Sequence, residues 1–283
     1  MSPPKPVTER TRTISPPLPV DLRLTLGPLR RGRLDPSMRF EPGGVWRATR
    51  TPAGPVTTHL RSCPADGTVT IRAWGPGAEW ALETFPALVG AEDTEDGFDP
   101  GTGVVADLHR RLRGLRISRS GAVVEALVPS ILEQKVVGLE ARRSYARLVR
   151  NLGEAAPGPA VASLIVPPPA KVLAATPTWT FHRAGVERKR ADTICRACSY
   201  AARLEETVHM SPDDARRRLT ALPGTAPGQR PRSPSSPSAT PTPSVWATTT
   251  FQTRWRGPWP ARPGPTMPGC SSSSNPGGVI GPG

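Results

Sequence analysis

No Asp, Glu, Lys or Leu occurs anywhere from Thr225 to Gly283. The same fifty-nine residues hold thirteen Pro, nine Ser and eight Gly. A segment of that make-up has too little apolar surface to offset the entropy of ordering it, so residues 225–283 are expected to be disordered. The boundary is abrupt. Just upstream, Ser211-Pro212-Asp213-Asp214 opens a helix with an N-cap Ser, a Pro at the first helical position and acids in the first turn. That helix is expected to run to about Ala221, and Leu222-Pro223-Gly224 then begins a turn. Fold-forming sequence stops inside a motif, which points to a shifted reading frame rather than to an evolved tail.

Residues 20–224 are enough for a sizeable core. The Pro-rich first nineteen residues are expected to be disordered. Of the formal net charge of +14, five units belong to tail arginines, which leaves +9 on residues 1–224. That balance favours nucleic acid or another anionic surface as partner, although an Arg-, Ala-, Pro- and Gly-rich codon bias gives the same composition. The four cysteines, Cys63, Cys195, Cys198 and Cys270, form no secreted disulfide framework. The start Met1-Ser2-Pro3-Pro4-Lys5-Pro6 lacks the apolar stretch of a signal peptide, and no run of about eighteen apolar residues offers a membrane span. A cytoplasmic protein is expected.

Period-2 patterning and turn signals predict a β-meander over residues 44–74. Its strands are Val45–Arg50, Val56–Arg61 and Thr68–Trp74, with turns at Pro52-Ala53-Gly54 and Asp66-Gly67. Gly75-Pro76-Gly77 ends the sheet, and Ala78–Leu88 reads as a helix. From residue 104 the pattern is helical. Val104–Arg113 is short and basic. Gly121–Leu152 is long, carries Val124, Leu127, Val128, Ile131, Leu132, Val136 and Leu139 at three- and four-residue spacing, is kinked or divided by Pro129 and is stopped by Gly153. Pro157–Pro169 reads as a linker and Glu187–Glu206 as another helix.

Three stretches in order resemble the helix-hairpin-helix DNA glycosylases, in particular the bacterial 3-methyladenine DNA glycosylase II type. They are Leu127-Val128-Pro129-Ser130-Ile131-Leu132-Glu133-Gln134-Lys135-Val136, then Ala184-Gly185-Val186 with Lys189-Arg190-Ala191, then Leu222-Pro223-Gly224. The resemblance covers roughly residues 25–224. It implies an α+β fold: a small N-terminal antiparallel β domain (residues 20–100), then an all-α helix-hairpin-helix bundle (residues 104–224), truncated by the tail. It implies double-stranded DNA with alkylated bases as partner, a monomer, and no cofactor. It puts Gln134 and Lys135 at the wedge that enters the minor groove, and Leu222, Pro223 and Gly224 at the start of the phosphate-binding hairpin. Lys135 departs from the family, in which an apolar wedge is common. Without the resemblance, Gln134 and Lys135 read as two polar residues on a solvated helix face.

The family's catalytic Asp follows the hairpin, and this chain has no acid after Asp214. The genetic code permits a test. If one base was lost after the Gly224 codon, the lost frame joins the third base of each codon to the first two of the next. Trp246-Ala247 must then give Gly, while Ala247-Thr248, Thr248-Thr249 and Thr249-Thr250 give only Asp, Asn, His or Tyr. The lost frame can read Gly-Asp-Tyr-His-Leu-Pro there, and Gly-Pro-Trp-Thr-Ala-Ala-Glu-Val from Thr225 onward. The first resembles the family's catalytic segment, and the second completes the hairpin. No catalytic residue is therefore assigned to the chain as written. A genuine Pro/Ser/Arg tail on a non-catalytic nucleic-acid-binding protein is the alternative.

Other motifs carry less. Cys195-x-x-Cys198 lies mid-helix without a second pair and reads as small buried residues, not a zinc site. His59, His109, His182 and His209 show no metal spacing. Trp46, Trp74 and Trp80 are expected to pack the β domain. Trp179 and Phe181 read as core or as the lining of a base pocket. Arg110, Arg111, Arg113, Arg116 and Arg119 read equally as a phosphate-binding stretch or a solvated face.

Overall fold

The computed structural model describes residues 8–95, 97–159 and 163–224. The tail, residues 225–283, for which the sequence predicts disorder, lies outside the described residues. Five antiparallel strands form a sheet: β1 (Glu9–Ile14), β2 (Met38–Glu41), β3 (Gly44–Thr51), β4 (Gly54–Cys63) and β5 (Thr68–Trp74), in spatial order β1-β5-β4-β3-β2. The turn signals fix the register. Thr51 pairs with Gly54 and Cys63 with Thr68, and Gly54 and Gly67 take the positive φ values of +124° and +61° that their turns require.

Strand β1 corrects the expectation of disorder over residues 1–19 for the described part, residues 8–19. Glu9 to Ile14 pair residue for residue with β5. The Arg72 guanidinium donates two 2.6 Å hydrogen bonds to the Glu9 carboxylate, and the Thr13 and Thr70 hydroxyls meet at 2.9 Å. The flanking prolines dominate the composition there, but the Thr-Arg-Thr-Ile alternation suits an edge strand, and it covers backbone that β5 would otherwise expose.

Both sheet faces are covered. One packs Val45, Leu60, Val69 and Ile71 against Leu22 and Leu26 of α1 (Leu22–Leu26) and Phe85 and Leu88 of α3 (Phe85–Leu88). The other packs Trp46, Ala48 and Trp74 under Leu164 and Val166. Helix α2 (Ala78–Glu83) lies against Val56 and Ala73. The expected single helix over Ala78–Leu88 is broken at Thr84. Pro86 in the next turn lacks the N–H that a continuous helix would use.

The helical part comprises α4 (Val104–Arg111), α5 (Val123–Leu132), α6 (Gly138–Leu152), α7 (Ala170–Ala175), α8 (Thr178–Arg183), α9 (Arg188–Ser199), α10 (Ala201–Glu205) and α11 (Pro212–Thr220). Its core is built on Ile131, Leu132, Leu148, Phe181, Ile194 and Leu204, all fully buried. The expected linker at 157–169 contains half of a short ribbon, β6 (Glu154–Ala155) with β7 (Ile165–Val166), which brings Leu164 and Val166 onto the sheet. Gly153 ends α6 as expected, but in extended backbone (φ −78°). Its reason is close approach: a Cβ there would collide with the carbonyl oxygens of Val149 and Val166.

Two expected long helices are divided. Pro129 sits inside α5, and the break between α5 and α6 comes later, at residues 133–137, where Lys135 adopts φ +54°. The second, over Glu187–Glu206, turns at Tyr200 into α10 and a 3-10 turn, Glu206–His209. That turn carries Glu205 back to α5. Its carboxylate accepts from the backbone N–H groups of Val123 at 2.8 Å and Val124 at 2.9 Å, capping a helix that has no side-chain cap of its own. Replacing Glu205 with Ala is expected to cost about 1–2 kcal/mol, as for other lost caps, measured by urea unfolding. Burial raises the Glu205 pKa above its ordinary 4.5, against the pull of the two amides. A proton is thus held more tightly in the folded state. Relative to Glu205→Gln, the native chain should lose stability as pH rises from about 4.5 through the raised value.

Candidate nucleic-acid interface

The turn between α5 and α6 sets Gln134 and Lys135 at the surface. Leu132 closes α5 in the core, and the amides of Glu133 and Gln134 bond back to the Pro129 and Ile131 carbonyls at 3.0 and 3.2 Å. Lys135 then takes the left-handed region, a conformation costing a non-glycine residue roughly 1–2 kcal/mol, and its side chain is exposed. Gln134 is half-buried because its side chain is engaged. Its Nε2 donates to the Gly224 carbonyl at 3.1 Å, across ninety positions of sequence.

Residues 222–224 are laid along α9. Leu222 is half-buried against the helical core, the Pro223 carbonyl accepts from Arg196 Nη1 at 3.3 Å, and Gly224 adopts φ +92°. A Cβ on Gly224 would stand 2.7 Å from Thr193 Oγ1, so both conformation and space demand glycine there. Lys189, Thr193 and Arg196 occupy one face of α9 at i, i+4 and i+7, with both cations exposed. Arg190 Nη1 donates to the Leu132 carbonyl at 3.0 Å, tying α9 to the end of α5. The five residues singled out from sequence, Gln134, Lys135, Leu222, Pro223 and Gly224, thus form one continuous patch. Its exposed charges are the cations Lys135, Lys189 and Arg196, with backbone carbonyls and amides between.

Carboxylates that face the interior have structural partners. Glu125 on α5 accepts from Arg47 Nη2 at 2.8 Å and from Thr49 Oγ1 at 2.5 Å, both on β3. Glu205 is the cap described above. A cleft of about 2670 Å³ is lined by residues of the sheet and of the helices, among them Thr51, Phe98, Val105, Leu115, Leu173 and Met210. Glu92, Asp93, Glu95 and Asp99 also line it, as do Arg116 and Arg119, which pair with Glu95 and with Glu92 and Asp93.

The remaining sequence candidates divide cleanly. Phe181 is fully buried core and Trp179 is 61% exposed, so the two do not line one pocket. In the basic stretch, Arg116 pairs with Glu95, Arg119 with Glu92 and Asp93, and Arg110 with Asp107; these are internal ties rather than free phosphate contacts. Cys198 is buried, and burial pushes its thiol pKa up to about 12; Cys195 donates to the Leu173 carbonyl at 3.4 Å. Trp46 stacks on His59 with ring centroids 4.0 Å apart, on the sheet face under Leu164. No sequence signal marked the Arg47–Glu125 pair or the Glu205 cap, because their partners lie about eighty positions apart.

No protein-family model matches the chain, and no curated protein matches it. Solved structures do share its fold. A 3-methyladenine DNA-glycosylase from Archaeoglobus fulgidus superposes with a TM-score of 0.61 at 17% identity, over 76% of this chain and 75% of that one. The Clostridium acetobutylicum 8-oxoguanine glycosylase/lyase superposes in its apo form with a TM-score of 0.58 at 12% identity, over 78% of this chain and 75% of the other. Its complex with double-stranded DNA containing cytosine opposite 8-oxoG gives 0.57 at 12% identity, over 78% and 74%. At these identities the likeness establishes a shared α+β fold. Among the described residues, no helix is long and apolar enough to cross a membrane.

Proposed function

We propose that the chain descends from a DNA glycosylase of base-excision repair that hydrolyses the N-glycosidic bond of alkylated bases of the 3-methyladenine type, and that as written it is inactive. The observation that carries this reading is the 3.1 Å bond between Gln134 and Gly224. It joins the two segments whose family roles, wedge and hairpin, must act on one stretch of duplex. The fold shared with the two glycosylases supports the reading, and so does the net charge of +9 on residues 1–224. The choice of alkylated bases over 8-oxoguanine rests on the sequence resemblance.

In this reading a base inside the stack is reached by kinking the duplex and flipping the nucleotide out. Lys135 enters the minor groove beside Gln134. The backbone N–H of Gly224 faces a phosphate, with Lys189 and Arg196 supplying charge. The carboxylate that would stabilise positive charge growing on the sugar belongs to the lost frame. The alternative, a non-catalytic DNA-binding protein, is favoured by one observation: the cationic patch is intact, while no acid follows Asp214.

Restoring one base after the Gly224 codon gives the protein for the test. Lys135→Gly in that protein is expected to lower 3-methyladenine release from alkylated DNA by roughly ten- to a hundredfold, the scale of about 1.4–2.7 kcal/mol. The same change relieves the left-handed strain, so stability should hold or rise by up to about 1 kcal/mol. Undiminished release by the variant would remove Lys135 from the reading. A well-folded restored protein with no glycosylase activity on any damaged base would end the enzymatic proposal.

A further inference from the structure

Among the described residues Trp179 is the one tryptophan at the surface; Trp46 and Trp74 are buried and Trp80 is half-buried. A lone exposed apolar residue is ordinary. The surroundings of this one are not. Phe181, fully buried, fixes the face of α8 that packs on the core, and helical spacing then turns Trp179, His182 and Arg183 outward. The Arg183 guanidinium lies 6.0 Å from the centre of the Trp179 ring, a cation–π contact that orients the indole, and the residue is still 61% exposed. The next turn buries Ala184 and Val186 and sets Gly185, at φ +88°, against α6. Ser144 Oγ donates to the Gly185 carbonyl at 3.3 Å, and Arg147 Nη1 would stand 3.4 Å from a Cβ on Gly185. The Arg147 guanidinium therefore lies beside the turn, two residues from Arg183.

Helix α6 continues the surface. It buries Ala141, Ser144, Tyr145 and Leu148 and leaves Arg143 and Arg147, one turn apart, exposed. Among the described residues no carboxylate pairs with Arg143, Arg147 or Arg183. Of the acids nearest in the chain, Glu187 lies 3.8 Å from Arg190, and Glu140, one turn before Arg143, offsets one charge. The balance around the indole stays positive.

We infer that Trp179, Arg183, Arg147 and Arg143 form a binding site for single-stranded DNA, with a base stacked on the indole and the flanking phosphates on the guanidinium groups. A duplex presents phosphates but keeps its base faces stacked inside, so it has no use for an open indole. A single strand presents both, and an aromatic platform among cations is the arrangement that holds it. Lys189 follows Gly185 by four positions, so the site adjoins the cationic patch built on Gln134 and Gly224. DNA held on that patch brings the strand to Trp179. In the choice of DNA the inference rests on the reading of that patch; the stacking site itself does not.

The test is binding of the full chain to a fluorescein-labelled oligothymidylate of about twenty nucleotides, read by anisotropy at low salt. Trp179→Ala is expected to weaken binding at least about fivefold, and Trp179→Phe less than about twofold, because any aromatic face can stack. Arg147→Ala and Arg183→Ala should each reduce the slope of log affinity against log salt by about 0.7. A blunt duplex of the same length should bind Trp179→Ala within about twofold of the native chain. The Phe variant and the duplex separate a lost contact from a lost fold. Unchanged single-strand affinity in Trp179→Ala overturns the site. Equal losses on single strand and duplex overturn the stacking, and Trp179-dependent binding confined to an oligouridylate overturns the choice of DNA. A dimer dispersed by Trp179→Ala, with DNA binding untouched, would assign the face to a second copy instead. Base release by the frame-restored protein tests the glycosylase reading and does not bear on Trp179, so the two readings fail separately.

Discussion

Incubated with alkylated DNA, the chain as written is expected to release 3-methyladenine at least about 10²–10³-fold more slowly than the frame-restored protein. One oriented charge in a water-poor site lowers a barrier by roughly 3–4 kcal/mol, and each 1.36 kcal/mol is tenfold in rate. In the family that this sequence resembles, the charge is an Asp carboxylate following the hairpin. Here Val245-Trp246-Ala247-Thr248-Thr249-Thr250, where the second reading frame can spell the Asp segment, contains no residue that ionises. The interior carboxylates cannot substitute. Glu125 is held by Arg47 and Thr49, and Glu205 by two backbone amides of α5. Base release measured by chromatography from the two proteins at equal concentration checks this. Comparable rates would mean that some residue of the chain as written supplies the catalytic group, and the frame reading would lose its functional argument.

The largest stability effect is expected at Glu125→Ala, at about 3 kcal/mol or more, the low end for breaking a buried pair. Arg47 is only 6% exposed at its side chain and Glu125 22%, and between them they join β3 to α5. Removing the carboxylate leaves a buried guanidinium whose remaining side-chain partner among the described residues is the Thr49 hydroxyl at 3.2 Å. The stability loss comes mainly from that unpaired charge, so the double variant Arg47→Met with Glu125→Met should be closer to the native chain than Glu125→Ala is. Urea unfolding of the three proteins, read by far-UV circular dichroism, gives the comparison. A double variant less stable than Glu125→Ala would show that the pair contributes more than its own compensation.

Local features were legible in the residues alone. Gly54 and Gly67 set the hairpins, and Ser211 and Pro212 the start of α11. Each of those is decided by the conformational preference or burial capacity of a few adjacent residues. The resemblance to the glycosylases was carried by three short segments, and their order was legible without coordinates. Their contact was not: a bond from Gln134 to Gly224 exists only once α9 lies between the two segments. The tertiary structure likewise moved the helix break from Pro129 to Lys135. Pro129 forfeits one hydrogen bond while its flanking residues Val128 and Ile131 stay buried, whereas beyond Leu132 no apolar face holds the helix to the core. It also gave residues 9–14 a strand, because the β5 edge supplied partners that Pro-rich composition does not reveal. The Arg47–Glu125 pair and the Glu205 cap belong to the same class. Burial and charge pairing act through space, and the residues they join are separated in the chain by distances over which sequence periodicity carries no information.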